Sequence, residues 1–124
     1  MNQARPALSF FRLLIVFTIC LLPGRVVLAA DNNPADIDIG KQITFEPKKG
    51  NCLACHEIVG GNSPGSIGPK LVSMKARFPD RNKLRQQIWD SRENNPHTLM
   101  PPFGKFRILT EQEIEQTIDY LYTL

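Results

Sequence analysis

The sequence predicts an all-α domain of short helices joined by long loops. Three observations carry this expectation. Apolar residues recur at helical spacing between Ile37 and the C-terminus, no stretch alternates apolar and polar residues in the strand period, and glycine and proline gather in the segments between.

The elements follow in order. In "DNNPADIDIGKQITFEPKKGN" (31–51) a polar, proline-bearing leader gives way to Ile37, Ile43 and Phe45 around Gly40, which fits a short helix ending before Pro47. "EIVGGNSPGSIGPKL" (57–71) holds four glycines and two prolines and reads as loop. "KLVSMKARF" (70–78) places Leu71, Met74 and Phe78 at i, i+3 and i+7, the face of a helix of about two turns. "DRNKLRQQIWDSRE" (80–93) opens on Asp80 after Pro79 and sets Leu84, Ile88 and Trp89 toward a core. Pro96, Pro101 and Pro102 then exclude helix from "NNPHTLMPPFGKFRI". The last helix is the clearest, since Thr110 and Glu113 form a capping box and Ile114, Ile118, Leu121 and Tyr122 a stripe.

Residues 1–30 have the pattern of a secretory signal. Arg5 and Arg12 precede the ten-residue apolar run "LLIVFTICLL", and small residues near Ala29 and Ala30 suit cleavage. A bilayer span needs about 20 apolar residues, so the run is short for an anchor. Cys20 lies within it and is expected to leave with it. The mature domain is then 31–124, and the expected location is the periplasm. Of the fifteen Lys and Arg, three lie in the signal with no acidic residue, leaving twelve basic against twelve acidic residues. The formal net charge of +3 therefore belongs to the leader. A neutral domain lacks the basic excess that phosphate contacts require, which argues against nucleic-acid binding.

Long loops in so short a domain point to something bulky beneath them, and "GNCLACHE" (50–57) says what. Four readings of Cys52, Cys55 and His56 compete. A disulfide between the two thiols closes a tiny ring and stabilises little. A thioredoxin-like pair wants a βαβ setting, which the pattern does not supply. Zinc held by Cys52, Cys55, His56 and His97 lacks the usual histidine spacing. Covalent attachment of haem fits best: Cys-x-x-Cys-His places two thiols for the vinyl groups of one porphyrin edge and the next imidazole for the iron. Cys52 and Cys55 are the expected thioether anchors, and His56 the proximal ligand. Met74, His97 and Met100 are the candidates for the sixth position. Met74 sits on an apolar stripe and reads as core. Met100 is favoured over His97, because Pro101 and Pro102 stiffen the chain beside it.

With Gly40 and Phe45 ahead of "CLACH", then "GPKL" (68–71), a methionine loop and the closing "IDYLYTL", the chain resembles class I cytochromes c. The resemblance implies their fold, short helices and long loops wrapped around one covalent haem c. It also implies that Pro69 offers its carbonyl to His56, and that Gly40 lets the first helix cross the last beside Tyr120. "TLMPPFGKFRILTEQEIEQTIDYLYTL" extends the likeness, from about Gly40 to the C-terminus, to the SoxX family, the monohaem subunits of SoxAX cytochrome complexes. That narrower resemblance implies a heterodimer with a SoxA-type haem subunit, together forming an L-cysteine S-thiosulfotransferase that acts on the SoxYZ carrier in thiosulfate oxidation. This chain would then be a non-catalytic subunit passing electrons to an acceptor cytochrome c. The alternative is a free cytochrome c shuttling electrons between a periplasmic dehydrogenase and a terminal oxidase. Within 70–85, Lys70, Lys75, Arg77, Arg81, Lys83 and Arg85 face only Asp80, either a steering surface for an acidic partner or two solvated helix faces.

Overall fold

The structure is a computed structural model and describes residues 33–124, together with Met1. The signal reading of 1–30, its cleavage site and Cys20 lie outside the described residues. Among those described there are four α-helices, two single 3-10 turns and no strand, so the all-α expectation holds.

Helix α1 spans Pro34–Phe45. Asn33 caps it by accepting the Ala35 N–H at 3.2 Å, and Pro34 takes the first position, where a missing N–H costs nothing. It ends at Glu46, which the following Pro47 holds out of the helical region. The last helix, α4, spans Glu111–Leu121, and its capping box is formed in both directions: the Thr110 hydroxyl accepts the Glu113 N–H, and the Glu113 carboxylate accepts the Thr110 N–H. Ile114 and Ile118 are fully buried and Leu121 nearly so.

These two helices make the principal contact of the fold. A Cβ on Gly40 would stand 1.9 Å from the Gln116 carbonyl oxygen, so only glycine permits this approach. The expected crossing is therefore present, closest at Gln116 and Thr117, and beside it the Tyr120 ring meets Phe45 of α1 edge-on at 6.2 Å between centroids. Thr44, fully buried, donates its hydroxyl back to the Gly40 carbonyl at 2.7 Å, and Gln116 donates to Asp36 at 2.8 Å. Polar groups at the seam are thus satisfied.

The middle of the chain departs from expectation twice. Helix α2 is a single turn, Met74–Arg77, rather than two turns over 70–78. The Leu71 N–H is taken by the Glu57 carbonyl at 3.0 Å, and Ser73 adopts a left-handed φ of 51°, so the chain enters this turn from an extended segment. Leu71 and Met74 are nonetheless buried, as their spacing predicts. Helix α3 covers Arg81–Trp89, capped by the Asp80 carboxylate on the Asn82 N–H. It stops at Asp90, whose φ is −151°, and a 3-10 turn over Ser91–Glu93 replaces the rest of the predicted helix. The cause is the Asp90 side chain, which turns back to cap Arg92 and pairs with the Arg92 and Lys105 cations. Those two cations hold the buried carboxyl far below the usual carboxylate range.

Three of the six cations in 70–85 are engaged in ion pairs. Arg81 bonds to Glu115 at 2.9 Å and Asp119 at 2.6 Å, and Arg85 to Glu115 at 2.9 Å and Glu111 at 3.0 Å, lacing α3 to α4. Lys70 pairs with Glu57. No helix among the described residues is long and apolar enough to cross a membrane.

The α1–α4 seam yields one expected outcome. Gly40→Ala forces the backbones apart and lowers the unfolding free energy by about 3 kcal/mol, the upper end of the overpacking range. Denaturant midpoints of parent and variant check this, and equal midpoints would show that the close approach is not needed.

Candidate functional site

The thiol segment begins with Asn51 in the left-handed region, φ 47°, which turns the chain out of the loop after α1. A 3-10 turn over Cys52–Ala54 follows, and the N–H groups of Cys55 and His56 both bond to the Cys52 carbonyl, at 3.2 and 2.8 Å. This tight turn places both thiols and the imidazole along one cavity. The two sulfurs are not joined to each other. Burial pushes the Cys52 thiol up to about 11.

His56 is fixed from two sides. Its Nδ1–H donates to the Pro69 carbonyl at 2.6 Å. A carbonyl only accepts, so the proton resides on Nδ1 and the Nε2 lone pair remains free for a metal. The Pro69 contact inferred from resemblance is therefore present. Gly68 packs directly on the ring: a Cβ there would lie 2.4 Å from His56 Cε1. The Gly68 N–H also bonds to the Cys55 carbonyl at 2.8 Å, strapping the glycine-rich loop across the turn.

Met100 lines the same cavity and is half-buried. Its N–H donates to the Thr98 hydroxyl at 3.1 Å, and its carbonyl accepts from the buried Ser91 hydroxyl at 2.9 Å. Its sulfur stands 3.8 Å from Gln87 Nε2. Beyond it, the N–H groups of Gly104 and Lys105 both bond to the Trp89 carbonyl at 3.2 Å, anchoring the loop to the end of α3. Met74 is only 2% exposed and packs in the core, as expected of its stripe. His97 is exposed but still touches the cavity.

The cavity measures about 740 Å³, within the range of about 300–1,000 Å³ of cofactor sites. Leu71, Met74, Leu84, Ile88, Phe103 and Leu121 are among the apolar residues of its wall. Among the described residues, no group of three or more His, Cys, Asp or Glu side chains converges on a point that could hold a metal ion, so the Cys₂His₂ zinc alternative is not assembled.

Comparison with known families decides what this cavity belongs to. The profile of the family described as cytochrome C oxidase, cbb3-type, subunit III matches residues 35–121. The chain belongs to that family. It is a cytochrome c domain, and its cofactor is haem c. An uncharacterized lipoprotein of Aquifex aeolicus (strain VF5) is similar to it, at 33% identity over 79 residues, which cover 60% of this chain. The aligned part spans only 37% of that relative's length.

The residues present fit haem c. Two thiols at the attachment spacing, an imidazole with its outer nitrogen free, a thioether and an apolar cavity wall all meet in one place. Cys52, Cys55, His56 and Met100, singled out in the sequence, all line the cavity, and Pro69, expected from the resemblance, bonds to His56. Nothing in the sequence signals the Gly68 contact with the imidazole or the Gln87 and Ser91 contacts with Met100.

Because seven of the twelve buried apolar core residues line the cavity, the packing of the helices depends on what fills it. The haem-free chain is expected to lose most of its helical signal in far-ultraviolet circular dichroism. Helix content equal to that of the haem-bound protein would overturn this.

Proposed function

We propose that this protein is a periplasmic electron-transfer cytochrome with a single haem c bonded to Cys52 and Cys55, and His56 and Met100 as axial ligands. One observation carries the reading: an oriented imidazole and a thioether, each fixed by its own backbone and side-chain bonds, reach the same cavity as the paired thiols. Haem c supplies a one-electron ferric/ferrous couple when bound. The protein's own residues do the rest. Cys52 and Cys55 would hold the cofactor covalently, Pro69 would set the basicity and angle of His56 as its ligand, and Met100 would supply a second ligand. Ligation by two held side chains suits outer-sphere transfer rather than substrate activation. Ile67 and Leu99, 66% and 76% exposed at the edge of the cavity, offer apolar surface to a redox partner.

The finer assignment is an electron-transfer subunit of a SoxAX-type L-cysteine S-thiosulfotransferase. It would take electrons from a SoxA-type haem subunit acting on the SoxYZ carrier and pass them to an acceptor cytochrome c. The resemblance of "TLMPPFGKFRILTEQEIEQTIDYLYTL" to SoxX supports this, and the commitment of both cavity thiols to cofactor attachment agrees with a subunit that leaves the sulfur chemistry to its partner. Export is supported by the pattern of residues 1–30 and by the printed name of the Aquifex relative as a lipoprotein. A second reading is a free cytochrome c shuttling electrons between a periplasmic dehydrogenase and a terminal oxidase; the description of the matching family as an oxidase subunit supports its oxidase end.

Two outcomes follow. Met100→Ala is expected to abolish the weak near-infrared methionine-to-iron band and to lower the reduction potential, and an unchanged spectrum would pass the role to His97. In affinity purification of the tagged mature chain from thiosulfate-grown cells, a larger haem protein is expected to copurify. Recovery of the cytochrome alone, or with an oxidase, would favour the second reading.

A further inference from the structure

We propose that Phe106, laid against Arg92 and flanked by Lys105 and Arg107, is an anchor that holds a protein partner with an acidic face, beside the cavity mouth rather than at it. The inference rests on the reading that this protein exchanges electrons with another protein. Phe106 is 61% exposed, and none of these four residues lines the cavity. Ile108, two residues on, does line it, so the patch adjoins the mouth.

The patch is held in place from within the fold. The Arg92 guanidinium lies 5.0 Å from the centre of the Phe106 ring. Two bonds fix it there, from Nε and Nη2 to the buried Asp90 carboxylate at 2.7 and 2.8 Å. Lys105 reaches the same carboxylate at 3.1 Å. The backbone carries the ring on a closed turn, with the Phe106 N–H on the Pro102 carbonyl at 3.0 Å and the Ile108 N–H on the Phe103 carbonyl at 2.9 Å. Arg107 sits in the left-handed region, φ 56°, a conformation that costs a non-glycine residue free energy and that gathers at functional segments.

An aromatic ring and an arginine that are already fixed lose little freedom when a partner covers them, and such residues make interface hot spots. The charge around them selects the partner. Residues 94–110 include Lys105 and Arg107 and no aspartate or glutamate, in a domain whose two signs otherwise balance. Asp90 is buried, so the face shown to a partner is apolar and cationic. A protein surface that sets carboxylates around an apolar hollow fits it.

The test recombines the haem-loaded mature chain with the larger haem protein copurified with it from thiosulfate-grown cells, and measures affinity at several salt concentrations. Three variants are compared: Phe106→Ala, Arg107→Glu and Lys83→Glu, the last at an exposed position of α3. Phe106→Ala is expected to weaken binding about 30-fold, the size of an interface hot spot. Arg107→Glu is expected to weaken it about tenfold at low salt and to flatten its salt dependence, and Lys83→Glu to change neither. Parent-like affinity in both Phe106→Ala and Arg107→Glu overturns the proposal. Where Phe106→Ala does not accumulate with haem, parent-like affinity of Arg107→Glu overturns it alone. Phe106→Ala that loses binding to phosphatidylglycerol vesicles, or loses a homodimer seen for the parent in sedimentation, while partner affinity is unchanged, gives the patch to a membrane or to a second copy and likewise overturns it. A parent from which no haem protein copurifies overturns the reading of an electron-exchanging partner as well, which separates the two failures.

Discussion

Leu84, Ile88, Met74, Phe103 and Leu121 each press on neighbouring helices with one side and border the cavity of about 740 Å³ with the other. That double duty is the constraint from which the architecture follows. A domain of this size buries only about 60–65% of its unfolded surface, and here a share of the apolar surface that is buried faces space kept for a cofactor. Short helices are tolerable because they are not asked to complete a core among themselves. Long loops are tolerable because they are strapped by particular bonds: the Gly68 N–H to Cys55, the Leu71 N–H to Glu57, and the Gly104 and Lys105 N–H groups to Trp89.

The two sides of the cavity are built by different means. The thiol side is local, a single turn of chain plus one carbonyl from Pro69, thirteen residues on from His56. The methionine side is assembled from a helix end and a proline-bearing loop, and Asp90 is its keystone. By breaking α3 where the helical pattern would continue, Asp90 frees Ser91 to reach the Met100 carbonyl and gathers Lys105 from beyond the loop. A buried carboxylate is costly unless paired, and this one is paired twice.

Much of this was legible in one dimension. The caps at Asp80 and Thr110, the stripe through Ile114 and Ile118, the Cys-x-x-Cys-His spacing and the prolines beside Met100 are local signals whose physics does not depend on distant partners. Most of the misses are non-local. The helical spacing at Leu71, Met74 and Phe78 was real, but Ser73 takes a left-handed φ of 51° and so starts the helix at Met74, leaving one turn. Asp90 looked like one more polar helix residue until Lys105 came near. Gly40 announced a close approach, yet its partners, Gln116 and Thr117, depended on the register of α1 against α4. Gln87 carried no signal, because a glutamine in a basic helix gives no sign that a thioether lies beside it.

The lacing of Arg81 and Arg85 to Glu111, Glu115 and Asp119 bears on how this protein finds a partner. Charges that satisfy each other within a few ångströms look nearly neutral from a distance of about 8–10 Å, the screening length in physiological salt. The part of the cationic stretch carried by Arg81 and Arg85 is thus a muted surface in space. Encounters through this face would draw little long-range attraction, and their speed should vary only weakly with ionic strength.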